Sequence, residues 1–340
     1  MGGPENFVKR VELELIKYNL PDYKIINPNP NNFSFLKDIE RIKVGRLDGA
    51  IYYKTTSLNL FNLVNQRRNK KYHFLKYFPD NVTMFANKPL NFYLNRGSRK
   101  LLRECDVIVF QSELSRKMHE KFVGETLKDF RVILNGVPTD IFSPNKEPEI
   151  LAGFPKLVIT ASFRLHKRLQ DAINIVNHLK KKFPSIKLHV IGNMDNLTSE
   201  FINRMDVSNC LFHGKVASLR LPNLYRSCDV GLSPSIFDPC PNSVVEMVAC
   251  GLPVISVLES GASEIIKCDD LIIEENISLD YMELQTGSSL PKVNIYDWSD
   301  RILHVIGNKK YYSDRMLQRV EEELDIKLVA SKYAEFIRNA

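Results

Sequence analysis

The residues best suited to chemistry lie in one stretch, FDPCPNSVVEMVACGLPVI at positions 237–255. The pattern predicts a strand that ends at Ser235, a proline-rich turn, and a helix that begins near Asn242 or Ser243. Gly251 stands where a left-handed residue would end that helix. The free N–H groups and the positive dipole end of such a helix form an anion site that suits a diphosphate.

Two carboxylates flank this predicted anion site. Asp238 lies in the turn, and Glu246 lies about one turn into the helix. Acceptors in these places suit sugar hydroxyls on one side and ribose hydroxyls on the other. Each residue also has a structural explanation, because Ser243-x-x-Glu246 matches a capping box and aspartate is common in turns. Spacing alone leaves both explanations open.

The composition is that of a globular protein with two domains. The chain has 340 residues, of which 44% are hydrophobic and 26% charged, and it contains no apolar run of the roughly 20 residues that span a bilayer. Its first residues lack the apolar core of a secretory signal. Six cysteines show no C-x-x-C motif and no clustering with histidines, which predicts reduced thiols in a cytoplasmic protein.

Positive charge is concentrated in the first half of the chain. The net charge is +7, and residues 1–145 carry 24 Lys and Arg against 15 Asp and Glu. The excess is densest at 65–71 and 96–103. Such a face suits a nucleic acid, an anionic membrane or a phosphorylated substrate, and equally an ordinary solvated surface.

The second half alternates strands with helices, which predicts a parallel, doubly wound sheet. The predicted strands are 155–163, 186–193, 210–216, 229–235 and 252–257, and the predicted helices are 168–184, 197–205, 218–228 and 242–250. The first half alternates more loosely. It has an amphipathic helix at 5–18 and strand candidates at 22–28, 41–49, 73–78, 106–112 and 131–136.

These elements predict an N-terminal domain at 1–145 and a second domain at 146–310. Helices at 311–340 are expected to pack back across both domains. Residues 132–150 lose periodicity and gather prolines, which is typical of a linker. No strand precedes Gly2 and Gly3, so the first strand of the N-terminal domain is absent or the natural chain begins upstream.

The segment 237–255 resembles the donor-site signature of the GT-B glycosyltransferases, particularly glycosyltransferase family 4. That signature has two acidic residues separated by seven others and a helix similar to E-A-M-A-C-G-x-P-V-I. The family's first acid is usually glutamate, and this chain has Asp238. Its turn glycines are replaced here by Pro239, Pro241 and Asn242.

The resemblance implies a site for a nucleotide sugar. It implies that Glu246 holds the ribose and that Asp238 holds the sugar ring. It also implies that the backbone amides near Asn242, Ser243 and Val244 hold the phosphate or the sugar.

Two cations follow the strand at 155–163. The sequence ASFRLHKRL (161–169) resembles the family's basic pair at a strand end, here Arg164 and Lys167, with Arg168 as a possible replacement for Lys167. Fixed cations there would neutralise the leaving diphosphate. The alternative is surface charge at a helix start, which is unfavourable unless an anion is nearby.

Further segments of the resemblance occur in the same order along the chain. VILNGVPTDIFSP (132–144) resembles the interdomain segment, and HGKV (213–216) resembles the loop that holds the nucleotide base. Donor contacts are therefore implied for Gly214, Val216, Pro234 and Ser235. His213 has no partner at ligand spacing and is interpreted as a packing residue.

The N-terminal half supplies the acceptor side of this scheme. Gly2-Gly3-Pro4 resembles the family's glycine loop, which lets backbone approach the donor phosphate. RLDG (46–49) occupies a predicted strand end. Arg46 and Asp48 are candidates for contacts with the acceptor or the sugar, and the alternative is a salt-bridged turn. Ser112 is expected to face the same cleft. It has no histidine partner, which excludes a hydrolase triad.

Other enzyme classes lack their motifs. No G-x-G-x-x-G and no G-K-[ST] occur, which argues against a dinucleotide oxidoreductase and a P-loop enzyme. No D-x-D occurs, so the metal-bridged site of the other large glycosyltransferase fold is not expected. The histidines and cysteines form no zinc pattern.

Together these observations predict an α/β protein of the GT-B class, with two Rossmann-like, doubly wound parallel-sheet domains facing a cleft. The implied function is retaining transfer of a sugar from a UDP- or GDP-sugar to a glycan or lipid-linked acceptor, without metal or other cofactor and without nucleic acid. The alternatives are a non-catalytic nucleotide-sugar-binding protein and a sugar-nucleotide epimerase. The basic, helix-like stretch 57–74 suggests peripheral contact with an anionic membrane.

Overall fold

The chain forms two compact units. The computed structural model describes residues 7, 10, 11, 13–15, 17, 18, 52–53, 58–65, 70–77, 107–122, 129–278 and 291–339. The first unit comprises Met1–Gly136, Ser278–Ser288 and Ile326–Ala340, and the second comprises Val137–Ile277 and Ser289–Asp325. The first boundary lies within the predicted linker at 132–150.

The first unit contains a five-stranded sheet with the order β1-β2-β3-β4-β5. Its strands are β1 (Tyr52–Tyr53), β2 (Leu58–Asn65), β3 (Lys70–Tyr77), β4 (Val107–Phe110) and β5 (Asp129–Val132). Strands β3, β4 and β5 run parallel, whereas β1, β2 and β3 pair antiparallel. Helix α1 (Glu113–Phe122) joins β4 to β5. Strands predicted at 73–78 and 106–112 are confirmed, whereas the strand predicted at 131–136 begins earlier and ends at Val132.

The helix-like interpretation of 57–74 is wrong. This stretch forms the antiparallel pair β2 and β3, with Leu58 opposite Tyr77 and Asn65 opposite Lys70. Leu58 and Leu60 flank Asn59, and Phe61 and Leu63 flank Asn62, a spacing of two that also suits a strand. The partner strand satisfies the backbone groups. A membrane-surface helix therefore does not form here.

The predicted N-terminal helix is confirmed where it is described. Phe7, Val11 and Leu15 are helical and buried, as expected for one apolar stripe. The predicted strands 22–28 and 41–49 lie outside the described residues.

The second unit contains a six-stranded parallel sheet with the order β11-β10-β9-β6-β7-β8. Its strands are β6 (Lys156–Thr160), β7 (Lys187–Ile191), β8 (Cys210–Gly214), β9 (Val230–Ser233), β10 (Val254–Val257) and β11 (Ile272–Ile273). The chain moves outward from β6 to β8 and then returns to β9 beside β6. The order therefore reverses between β6 and β9, and ligands of open α/β sheets bind at such a switch point.

Helices connect these strands as the alternation predicted. They are α2 (Leu169–Leu179), α3 (Asn196–Ile202), α4 (Leu221–Arg226), α5 (Asn242–Ala249), α6 (Ala262–Ile266), α7 (Ile295–Gly307) and α8 (Lys309–Arg319). Helix α5 packs closely on the sheet because β9 contains Gly231. A Cβ at Gly231 would lie 2.8 Å from the Met247 sulfur.

The C-terminal segment is not helical throughout, contrary to prediction. A π-helical turn, Val320–Leu324, follows α8, and Asp325 is extended before α9 (Ile326–Asn339) begins. The break has a local cause, because Asp325 forms a parallel bridge with Val137 and accepts a 2.5 Å hydrogen bond from Thr139. Helix α9 belongs to the first unit.

Candidate functional site

Two loops of the second unit meet at the switch point. Strand β6 ends at Thr160 and strand β9 ends at Ser233, and these neighbouring strands run parallel. Their following loops therefore leave from the same edge of the sheet. The loops bring Lys167 and Asp238, which are 71 positions apart in sequence, into direct contact.

Lys167 and Asp238 form a well-shielded ion pair. The Lys167 Nζ lies 2.5 Å from the Asp238 Oδ2, and the two side chains are 15% and 8% exposed. A 3₁₀ turn, Leu165–Lys167, carries the lysine. Charges this buried are screened much less by salt than surface charges. The sequence placed both residues at a ligand site, and the structure brings them together.

Arg168 faces a different environment from Lys167. Its fully buried guanidinium donates to Asp171 Oδ2 at 2.9 Å, pairs with Glu275 and donates to the Pro291 carbonyl at 2.7 Å. Arg168 itself is left-handed, with φ of 55°. These contacts anchor the start of α2 and correct the expectation that Arg168 can replace Lys167 as the donor-site cation.

His166 is a site residue that sequence reasoning missed. It is half-buried beside the ion pair. Burial lowers its pKa to about 3, Lys167 and Arg164 contribute to the lowering, and Asp238 opposes it. The imidazole is therefore neutral near pH 7 and adds no positive charge to the site. The sequence places His166 next to Lys167, but its protonation depends on burial that the sequence does not show.

Helix α5 begins as predicted, directly after the proline-rich turn. Its N-cap is Pro241 and its first residue is Asn242. Ser243 therefore lies inside the helix, so the capping-box explanation of Glu246 does not hold. The Val244 N–H already donates to the Pro241 carbonyl at 3.0 Å. The amino end of α5 lies at the switch point, where the positive end of its dipole suits an anion.

The turn that carries Asp238 is held by a second loop. Phe237 has a positive φ of 55°, which is costly for a residue with a side chain, and its N–H donates to the Glu259 carbonyl at 2.7 Å. The Gly261 N–H donates to the Asp238 carbonyl at 2.8 Å. A Cβ at Gly261 would lie 1.9 Å from the Pro239 carbonyl oxygen. Glycine at 261 is therefore required for this approach.

Glu246 is the second mostly buried acid of the site. Its side chain lies on α5, and the residue is 7% exposed, as is Asp238. Burial raises the pKa of Tyr225 well above its usual value, and Glu246 raises it further. Burial also raises the pKa of Cys250 to about 12, opposed by Arg226 and supported by Glu246. Glu246 therefore lies close to Tyr225 and to Cys250, the C-cap residue of α5.

The remaining donor-site residues lie near strand ends of the second unit. Pro234 and Ser235 follow β9 and are buried. Gly214 ends β8 with a φ of 61°, and a Cβ there would meet no atom within 4 Å. Val216 is half-buried. The exposed loop at Gly214 leaves open space beside the sheet edge.

Ser112 does not face a ligand site. It is fully buried, and its Oγ accepts the Ser115 N–H at 2.9 Å, at the start of α1. The structure therefore assigns it a capping role in place of the predicted acceptor contact. Four further predicted residues lie outside the described residues: Gly2, Gly3, Arg46 and Asp48.

His213 has a partner that the sequence did not reveal. Its Nε2 lies 3.0 Å from the Nδ1 of His189, which is on the neighbouring strand β7, and the two rings stack. Burial lowers the pKa of His189 to about 4. The pair joins β7 to β8 and supports the interpretation of His213 as a packing residue.

Metal-binding clusters and membrane-spanning helices are both missing from the described ranges. Across these ranges, no three His, Cys, Asp or Glu side chains are grouped so as to hold a metal ion. In the same part of the chain, no helix is long and apolar enough to cross a membrane.

A curated relative shares the sequence of part of the chain. An uncharacterized glycosyltransferase of Methanocaldococcus jannaschii, MJ1059, is 26% identical over 155 residues. The alignment covers 44% of this chain and 38% of the relative, so the chain matches well under half of that protein's length.

Solved structures share the fold at low identity. Sucrose-phosphate synthase from Thermosynechococcus elongatus aligns with a TM-score of 0.57 and 14% identity, over 73% of this chain and 61% of that chain. Anabaena HepE in complex with UDP and glucose gives a TM-score of 0.57 and 14% identity, over 74% and 67%. The predicted α/β fold of the GT-B class is thereby confirmed.

A family match covers the described site. It extends over residues 144–318, just over half of the chain, and includes Lys167, Asp238 and Glu246. The family is described as glycosyl transferases group 1, and this chain belongs to it.

Proposed function

We propose that this protein binds a nucleotide sugar at the β6–β9 switch point and transfers its sugar to an acceptor. One observation carries the proposal. A lysine, an aspartate and the amino end of α5 meet at the edge of the sheet where the strand order reverses. This arrangement offers positive charge to a diphosphate and oxygen acceptors to hydroxyls within one site.

The proposed roles follow the chemistry of each group. Lys167 and Arg164 neutralise the diphosphate, helped by the amino end of α5 at Asn242 and Ser243. The predicted contact at the Val244 amide is not kept, because that N–H donates to the Pro241 carbonyl at 3.0 Å. Glu246 accepts from the ribose, and Asp238 accepts from the sugar ring. The base lies against Gly214 and Val216, with Pro234 and Ser235 lining the donor site.

The donor is proposed to be a UDP- or GDP-sugar and the acceptor a glycan or a lipid-linked glycan. HepE was solved with UDP and glucose, and the pneumococcal O-GlcNAc transferase GtfA was solved with UDP and GlcNAc. These ligands support a nucleoside diphosphate at the same fold position. The acceptor is proposed to contact the basic first half, which includes Arg46 and Asp48.

We place the protein in glycosyltransferase family 4, with retention of configuration. The bond from the anomeric carbon to the diphosphate oxygen breaks while the acceptor oxygen bonds to the same face of that carbon. The acceptor proton passes to the leaving diphosphate. Lys167 and Arg164 stabilise the negative charge that develops there, so the proposed reaction needs no metal. An inverted product, identified by NMR, would contradict this mechanism.

A panel of UDP-, GDP- and dTDP-sugars tests the proposal. We expect at least one donor to be slowly hydrolysed and to stabilise the protein thermally. Glu246→Ala should abolish both effects, whereas Glu200→Ala, an exposed acid on α3, should leave both unchanged. Stabilisation without turnover would indicate a binding protein, and a new nucleotide sugar would indicate an epimerase. If none of these donors binds, the proposed function is wrong.

A further inference from the structure

The ion pair of Lys167 and Asp238 sets two proposed ligand contacts against each other. The lysine is the proposed partner of the diphosphate and the aspartate is the proposed partner of the sugar. The structure joins these two groups directly at 2.5 Å, with both side chains mostly buried. A diphosphate that takes the ammonium must therefore do so in the presence of the Asp238 carboxylate.

Neither His166 nor the proline-rich turn can bind the phosphate in place of Lys167. His166 is neutral because burial lowers its pKa to about 3. Pro239 and Pro241, on either side of Cys240, have no N–H to donate to a phosphate. Lys167 is one of the two proposed cationic partners of the diphosphate, with Arg164, and a loss of its ammonium to Asp238 weakens anion binding.

The backbone at Asp238 is held in place by a neighbouring loop. Its carbonyl accepts from the Gly261 N–H, and the Phe237 N–H donates to the Glu259 carbonyl. The carbonyl of the next residue, Pro239, is so close to Gly261 that no side chain fits there. The backbone that carries the Asp238 carboxylate is therefore fixed by these contacts.

Donor and product differ in how they satisfy this carboxylate. In a nucleotide sugar, sugar hydroxyls donate to Asp238 while the diphosphate takes Lys167. After transfer the nucleoside diphosphate has no sugar, so no sugar hydroxyl donates to Asp238 and its carboxylate is again available to the Lys167 ammonium beside it. Resting on the function proposed above, we propose that Asp238 promotes release of the nucleoside diphosphate product by competing with it for the Lys167 ammonium.

The test is the affinity for UDP and for GDP, measured by isothermal titration calorimetry. Asp238→Asn should bind the preferred diphosphate about threefold to tenfold more tightly than wild type, because a neutral amide no longer competes with the phosphate for the Lys167 ammonium. Slower turnover and stronger inhibition by the same diphosphate should accompany this gain. Asp238→Ser is the second variant if the first does not fold.

Asp229→Asn is the matched control. Asp229 directly precedes β9, is mostly buried and pairs with Lys309 at 2.8 Å. It lies at the opposite end of the strand from Asp238, so the same charge change there should leave diphosphate affinity unchanged. An equal gain in both variants would indicate a general charge effect and would overturn the proposal.

A double-mutant cycle separates competition from simple repulsion. On the Lys167→Gln background, Asp238→Asn should gain less than about twofold, because no ammonium remains to be released. An undiminished gain on that background would overturn the competition. If wild type binds a diphosphate and Asp238→Asn binds it equally or more weakly, the inference fails while the proposed function stands. If wild type binds neither diphosphates nor nucleotide sugars, the proposed function itself fails.

Discussion

Lys167 and Arg168 are adjacent cations with opposite surroundings. Lys167 is 15% exposed and pairs with a single carboxylate at the switch point, whereas Arg168 is fully buried among Asp171, Glu275 and the Pro291 carbonyl. Arg168 has a left-handed backbone conformation. Its side chain therefore lies in different surroundings from the side chain of Lys167. Of these two adjacent cations, Arg168 is therefore structural, whereas Lys167 is the one for which we propose a role in ligand binding.

The largest expected effect comes from breaking the structural member of the pair. Arg168→Met leaves two buried carboxylates without their cation and should lower the free energy of unfolding by about 3–5 kcal/mol. Urea unfolding followed by circular dichroism measures this loss. Arg220→Met is the control, because its ion pair with Glu149 is exposed, and it should unfold nearly as wild type does.

The loss in Arg168→Met should also depend on pH. Burial raises the pKa of Asp171, and Arg168 opposes that rise, so removal of the arginine raises the pKa further. A carboxyl whose pKa is higher in the folded state stabilises the fold at low pH, and this contribution is lost as pH rises through the folded pKa. The deficit should therefore be smaller at pH 5 than at pH 8. A deficit that grows at pH 5 would show that Asp171 is not the group left unpaired.

Replacing Lys167, the proposed ligand-binding member, should lower activity strongly and stability less than Arg168→Met does, because one carboxylate and not two loses its cation. Lys167→Gln should lower the turnover of the preferred nucleotide sugar about 100- to 1,000-fold, as the loss of a charge-stabilising donor does in other enzymes. Lys309 is the control, because it also forms an ion pair with one aspartate, Asp229, and its side chain is 40% exposed. Lys309→Gln should leave turnover nearly unchanged. Equal losses of turnover in both variants would contradict the proposed role of Lys167 in ligand binding.

Gly261→Ala tests whether the backbone behind Asp238 sets the geometry of the site. The added methyl would collide with the Pro239 carbonyl oxygen, so the turn must shift. A displacement of this kind should lower turnover about 100-fold. Gly307→Ala, at the exposed end of α7 with no atom within 4 Å of the new methyl, should have little effect. Wild-type turnover in Gly261→Ala would show that the turn is free to move.

The sequence predicted the second unit well because its signals are local. Strand and helix periodicity placed every strand from β6 to β10, and it placed Asp238 in the turn and Glu246 in the helix where the structure has them. What it missed depends on contacts distant in sequence. The burial of Arg168 against Glu275, the approach of Gly261 to Pro239 and the pairing of His189 with His213 join segments that no short pattern links.

Ser243→Ala gives the smallest expected effect. It tests whether Ser243 and Glu246 form a capping box at the start of α5. If Ser243 were the N-cap of α5, its loss would cost about 1 kcal/mol of stability. The structure places Pro241 at the N-cap and Ser243 inside the helix, where alanine is the better helix former by a few tenths of a kcal/mol. The variant should therefore unfold at or slightly above the wild-type urea midpoint. Its affinity for the nucleotide sugar should also be kept, because the proposed contact is the backbone N–H, which alanine retains. A loss of stability together with normal affinity would restore the capping role and leave Glu246 with a structural explanation.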